Sequence, residues 1–213
     1  IFVLAAALQA GVLDVLPVSR MSALRRGLAA ALDRDLGVIL AAEGLSGLMA
    51  LPAVGLTGAD GVAVRTDSMG GKVVVLDFWA TWCGPCIASM PHSQEVAAKY
   101  KDQGVVILAS CTSDTRDKFE SWVKANQAKY PDFVFSHDPA ERGADRASAK
   151  LYGVGGIPQQ FIIGRDGKIA ATVTGYLAGE VLLDAALAKA GIKVAPEILA
   201  KAEIDQKKRD AMR

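Results

Sequence analysis

The stretch Val73-Val74-Val75-Leu76-Asp77-Phe78-Trp79-Ala80-Thr81-Trp82-Cys83-Gly84-Pro85-Cys86 decides how the rest of the chain is read. Its first seven residues are apolar apart from Asp77, the composition of a strand buried on both faces. Its last four place two thiols one helical turn apart, with a proline in the first turn, where a helix tolerates it. The pattern predicts a strand that runs straight into a C-x-x-C at a helix start. Such a start offers unpaired N–H groups and the positive end of the helix dipole, and both favour a thiolate on Cys83. Cys86, three residues on, shares the helical face and can close a disulfide with it. A strand, a C-x-x-C and a helix in that order predict redox chemistry.

Other uses of paired cysteines fit poorly. A zinc site needs two more Cys or His ligands, and only His92, His137 and Cys111 remain, at irregular spacing. A c-type haem needs histidine directly after the second cysteine, where this chain has Ile87. The expectation is no metal and no bound cofactor, with a Cys83–Cys86 disulfide as the redox group. Cys86 lies inside the first turn and is expected to be the more buried thiol. Trp79 is read as core. Trp82, directly before Cys83, is expected to cover the thiol and shape the substrate face. Cys111 reads either as a small buried hydrophobe or as a third redox thiol at the strand ends. His92 and His137 are read as surface residues without chemistry.

Asp77 stands out because carboxylates are rarely buried in strands; removing a charge from water is costly. Buried, it would have a raised pKa; the alternative is an edge-facing, solvated aspartate.

Around this centre the chain divides by pattern. Residues 20–50 are rich in Ala and Leu and predict one or two helices. Between Pro52 and Met69, short alternating runs flank Gly58-Ala59-Asp60-Gly61, predicting a β-hairpin. The C-x-x-C helix is expected over 84–101, with Pro91 inside it removing one backbone donor. A buried strand follows at 105–109, then a helix to about 128 capped by Asp114, with Phe119, Trp122 and Val123 inward. Phe133-Val134-Phe135 reads as a strand and 144–152 as a helix. A hairpin over 160–173 turns at Arg165-Asp166-Gly167, and a closing helix spans 179–190. The tail 195–213 is helical in propensity, and its run Lys207-Lys208-Arg209 is read as a solvated helix end.

The 213 residues suffice for one domain and an appendage. Lys and Arg number 24 and Asp and Glu 23, for a net charge of +1. That balance argues against a nucleic-acid surface. Three cysteines, two of them in the motif, make no disulfide framework. Ile1–Ala10 reads as the end of a signal sequence, with Leu8-Gln9-Ala10 as a weak cleavage pattern, or as an ordinary apolar helix. Asp14 and Pro17 interrupt it short of the ~20 residues that span a bilayer.

Leu76–Cys86 resembles the thioredoxin superfamily. Tyr152-Gly153-Val154-Gly155-Gly156-Ile157-Pro158, followed by Phe161–Ile169, resembles its second landmark, an Ile-Pro expected to be cis and then a β-hairpin. The segment of about 129–152 resembles the insertion of the TlpA/ResA-like thiol:disulfide oxidoreductases, a branch that acts outside the cytoplasm. The resemblance implies a thioredoxin-like α/β fold, a central mixed sheet flanked by helices, with an N-terminal β-hairpin and an extra N-terminal helical segment. Residues 52–190 would be the thioredoxin-like domain, 1–50 an extension holding a possible signal or anchor remnant, and 191–213 a helical tail.

The resemblance also implies roles. Cys83 would attack, Cys86 would resolve, and Asp77 would take the proton from Cys86. Pro158 would expose the backbone of Ile157 to an extended substrate beside Trp82. Gly84 and Pro85 accompany reducing members. Gln159-Gln160 departs from the small hydroxyl residues common there, which bears on substrate preference. The implied function is reduction of protein disulfides in the periplasm or its equivalent, in cytochrome c maturation or related thiol maintenance. The implied partners are protein thiols or disulfides and an upstream thiol donor in the membrane, with no nucleic acid. A monomer is expected, with an anchor outside this chain. Two rival readings are a peroxiredoxin-like peroxidase and a non-catalytic binding module. The first wants P-x-x-x-T-x-x-C, where this chain has Leu76 and Ala80. The second sits badly with an intact Trp-Cys-Gly-Pro-Cys.

Overall fold

A computed structural model describes residues 56–58, 63–64, 69–143 and 145–212. The helices expected over 20–50, the apolar stretch Ile1–Ala10 and the turn of the first hairpin lie outside the described residues. Seven strands among the described residues form one sheet: β1 Leu56–Gly58, β2 Ala63–Val64, β3 Val73–Trp79, β4 Val105–Cys111, β5 Phe133–His137, β6 Gln159–Ile163 and β7 Ile169–Thr174. Their order is β2-β1-β5-β4-β3-β6-β7. β3, β4 and β5 run parallel, and β6, β7, β1 and β2 pair antiparallel. Parallel neighbours require crossovers. Two helices supply them, α1 Gly84–Tyr100 between β3 and β4 and α2 Arg116–Asn126 between β4 and β5. α3 Ala147–Lys150, α4 Leu182–Lys189 and α5 Pro196–Ala211 are the remaining α-helices among the described residues. The sheet is mixed and flanked by helices, a thioredoxin-like architecture.

Period-two alternation along β3 sorts its side chains onto two faces. Val73 and Val75 face α1, α4 and α5 in a cluster with Ile107, Ile162, Val96, Leu183, Leu187 and Ala202. Val74, Leu76 and Phe78 face the other way, against Leu108, Phe161 and Ala147. A third cluster lies at the C-terminal end of the parallel strands, where Trp79, Met90, Ala109, Phe119 and Phe135 surround both motif cysteines. Trp79 and Phe119 are fully buried, each contributing ~2–3 kcal/mol by removal from water. The alternation puts Asp77 on the α1 face, between the first and third clusters.

α5 is part of this packing. Ala202 enters the core. The Arg209 side chain is only 10% exposed and engages Glu180, Thr174 O and Gly175 O. Lys207 and Lys208 are solvated as expected; Arg209 is not, because the helix lies along the end of β7 and its last turn meets a buried carboxylate.

Candidate active site

Cys83 is the N-cap of α1, with extended backbone (φ −86°, ψ 96°), and Pro85 sits in the first turn. The chain leaves β3 at Trp79 and turns through 80–82, with Cys83 N donating to Ala80 O at 3.0 Å. Cys83 and Cys86 form a disulfide with Cα atoms 5.3 Å apart. Cys86 N donates to Cys83 Sγ at 3.2 Å, so the first sulfur caps its own helix. Cys83 is 4% and Cys86 2% exposed; in the disulfide both sulfurs are buried, and the expected contrast between them is small. Ser89 Oγ donates back to Cys86 O at 2.7 Å.

The Ile157–Pro158 peptide is cis. Ile157 packs partly buried against the cluster beneath the disulfide. Pro158 is buried, and its carbonyl accepts from Gly175 N at 2.8 Å. Trp82 is 56% exposed, and its Nε1 donates to Ser113 O at 3.1 Å. The ring is thus tethered at the surface of the loop.

Asp77 is 1% exposed. Its register partners are Ala109 on β4 and Gln160 on β6. Gln160 Nε2 donates to Asp77 Oδ2 at 3.1 Å and lies 3.4 Å from Ser93 Oγ on α1. Asp77 Oδ1 has no partner. Burial pushes the Asp77 carboxyl up to about 7, and the Gln160 amide pulls against that rise.

Asp114 is not the helix cap that its position suggests. Thr115 is the N-cap of α2 and makes no side-chain cap bond. The Asp114 carboxylate, fully buried, accepts from Thr81 N at 3.0 Å and Thr81 Oγ1 at 2.6 Å, and from Thr115 N at 3.0 Å. It therefore locks the turn that delivers Cys83. Ser113 before it takes a left-handed backbone (φ 59°), uncommon outside glycine, which presents its carbonyl to Trp82. The available signal was position: Asp114 follows a strand C-terminus, where open α/β sheets build sites.

Both histidines depart from the surface reading. His137 is 2% exposed at the end of β5, with Nε2 3.0 Å from Asp114 O and its ring beside Phe119. It is buried because β5 pairs with β4 through to Cys111. His92 is 20% exposed, 3.7 Å from Asp184. Cys111 is fully buried between strands, and burial drives its thiol pKa upward. That environment fits the small hydrophobe and disfavours a third reactive thiol. Among the described residues no three His, Cys, Asp or Glu side chains group as a metal site.

Residues 46–187 match the Redoxin family. Over 127 residues the chain is 32% identical to the thiol-disulfide oxidoreductase ResA of Bacillus anthracis, covering 60% of this chain and 69% of ResA. Among solved structures it is similar to a candidate thiol:disulfide interchange protein DsbE from Chlorobium tepidum. That match has 34% identity and a TM-score of 0.55, over 66% of this chain and 94% of the other. It is also similar to the pneumococcal exposed lipoprotein thioredoxin Etrx1 of Streptococcus pneumoniae strain TIGR4, at 29% identity and TM-score 0.52, over 62% and 96%.

Proposed function

The chain belongs to the Redoxin family and is a thiol-disulfide oxidoreductase, and from that premise we propose that it reduces protein disulfides outside the cytoplasm through Cys83 and Cys86. The observation that carries this reading is the pair itself: a C-x-x-C disulfide closed across the first turn of a 17-residue helix, beside a cis Ile157–Pro158.

In the reduced enzyme Cys83 is the attacking thiolate, favoured by the helix N-terminus and by the N–H of Cys86. It attacks one sulfur of a substrate disulfide. A mixed disulfide forms and the other substrate sulfur leaves as thiolate. Cys86 then loses its proton to Asp77, and its sulfur attacks Cys83. The Cys83–Cys86 bond forms, the mixed disulfide breaks, and the substrate departs with two electrons. Asp77 suits this role because a carboxyl pushed up to about 7 both accepts and returns a proton near neutral pH. Trp82, Ile157 and Pro158 hold the substrate segment in extended form, pairing it with the backbone of Ile157. Gly84 and Pro85 set the helix start that makes Cys83 a cap.

The electrons come from an upstream dithiol, which we assign to a membrane protein. The enzyme works as a monomer. Among the described residues no helix is long and apolar enough to cross a membrane. The likeness to an exposed lipoprotein thioredoxin supports work outside the cytoplasm.

Cys86→Ala tests the exchange. It should accumulate mixed disulfides with protein clients, while Cys83→Ser should form none and lose disulfide reduction to background. Direction is read from the potential of the Cys83–Cys86 couple. A value more oxidising than the ~−180 mV of protein disulfide isomerase overturns the reductase assignment.

A further inference from the structure

Gln160 belongs to neither landmark of the site, yet it joins three of its elements. It stands on β6, two residues after cis Pro158, directly across the strand pair from Asp77. Its side chain is buried, with the residue 6% exposed. One amide nitrogen reaches Asp77 Oδ2 at 3.1 Å and Ser93 Oγ at 3.4 Å, so a single group spans β6, β3 and α1. An amide nitrogen only donates, and a donor placed on one carboxyl oxygen favours charge there. The second oxygen, Oδ1, is buried without a partner. A carboxyl with one oxygen engaged by a donor and the other free has one place for its proton.

We propose that Gln160 is a positioning residue for Asp77: its amide holds Oδ2 from across the strand pair, so that Oδ1 is the atom that takes up and gives back the proton. This rests on the role assigned above to Asp77. The ionisable groups on the surrounding elements are few. α1 brings Cys86 and His92, and α4 brings the buried Asp184, which His92, Lys99 and Tyr100 of α1 surround. Tyr176 and Glu180, beyond β7, share with Gln160 the walls of a cavity of about 10 Å³. Glu180 is held by Arg209. β4 presents Ala109 opposite Asp77.

The test uses the oxidised protein, in which neither motif cysteine titrates, with carboxyl-labelled aspartate and NMR. In the unaltered protein the Gln160 side-chain amide resonances should shift with the same midpoint as the Asp77 carboxyl; amide resonances that stay still through that titration overturn the proposal without any variant. In Gln160→Met, similar in size and without the donor, the Asp77 midpoint should rise by about one pH unit, the scale of one charge-assisted hydrogen bond. Gln160→Glu, also of similar size, should raise it further through a second carboxyl. An unchanged midpoint in a folded Gln160→Met overturns the proposal. In the reduced enzyme, the pH profile of mixed-disulfide release should follow the midpoint. If the midpoint moves and the profile does not, Gln160 still holds Asp77, and it is the assignment of Asp77 as proton acceptor that fails.

Discussion

Asp77 and Asp114 are both buried carboxylates, 1% and 0% exposed; Asp77 lies on the strand that leads to Cys83, and Asp114 is bonded to the turn that follows it. Their surroundings differ. Asp114 takes three hydrogen bonds from Thr81 and Thr115, and both of its oxygens are engaged. Asp77 takes one, from Gln160, and leaves Oδ1 unpartnered. A carboxylate whose acceptors are filled works as a fastener. One left half-filled in a dry site stays close to the point where it gains or loses a proton. The β4 side of the site is therefore built to hold still, and the β6 side to titrate.

The comparison breaks most directly at Asp114. Asp114→Ala leaves Thr81 and Thr115 donors unsatisfied beneath the loop and should cost about 5 kcal/mol in chemical denaturation. A loss below about 1 kcal/mol would mean that the fastener is dispensable. Asp77→Asn should act in the opposite direction. Because the folded pKa is raised from 3.8 to about 7, the native state holds a proton that the unfolded chain has released across this interval. Unfolding stability therefore falls as pH rises from about 4 to about 7 and then levels off. Asparagine does not titrate, so the variant should be about 4 kcal/mol more stable than the parent at pH 8, with the gap closing by pH 4. Its mixed disulfides should resolve more slowly. A pH-independent difference would refute the raised titration.

Two smaller effects sharpen the contrast. Arg209 holds Gly175 O, and Gly175 N holds Pro158 O, so the β6 side is braced by the last turn of α5. Arg209→Ala should cost about 2 kcal/mol by leaving Glu180 unpaired, and Arg209→Lys about half of that, since lysine lacks the planar fork. Both should raise KM for a protein substrate more than they lower kcat. Trp82→Phe removes only the Nε1 bond to Ser113 on an exposed ring. It should cost less than ~1 kcal/mol in stability, with its effect read in KM.

The parts legible in the sequence are contiguous. β3, the C-x-x-C and the start of α1 lie within one run. The hairpin of β6 and β7 announces itself through Asp166-Gly167, and Ile157-Pro158 is read by resemblance. The parts that escaped are pairings between distant segments. Thr81 and Asp114 are 33 residues apart, Asp77 and Gln160 83, and Arg209 and Gly175 34. Asp114 reads as a cap because a helix follows it, and only the fold shows that its carboxylate turns back to the loop after β3. His137 reads as surface because a lone histidine carries no period. Its burial depends on how far the β4–β5 pairing continues.

Cys111, the last residue of β4 and fully buried in the cluster beneath the site, turns the chain into its own folding gauge. After mild reduction a folded molecule should withhold Cys111 from an alkylating reagent, and an unfolded one should offer all three sulfurs that the sequence contains. The mass of the adduct then counts folded and unfolded molecules in one sample, without any added label.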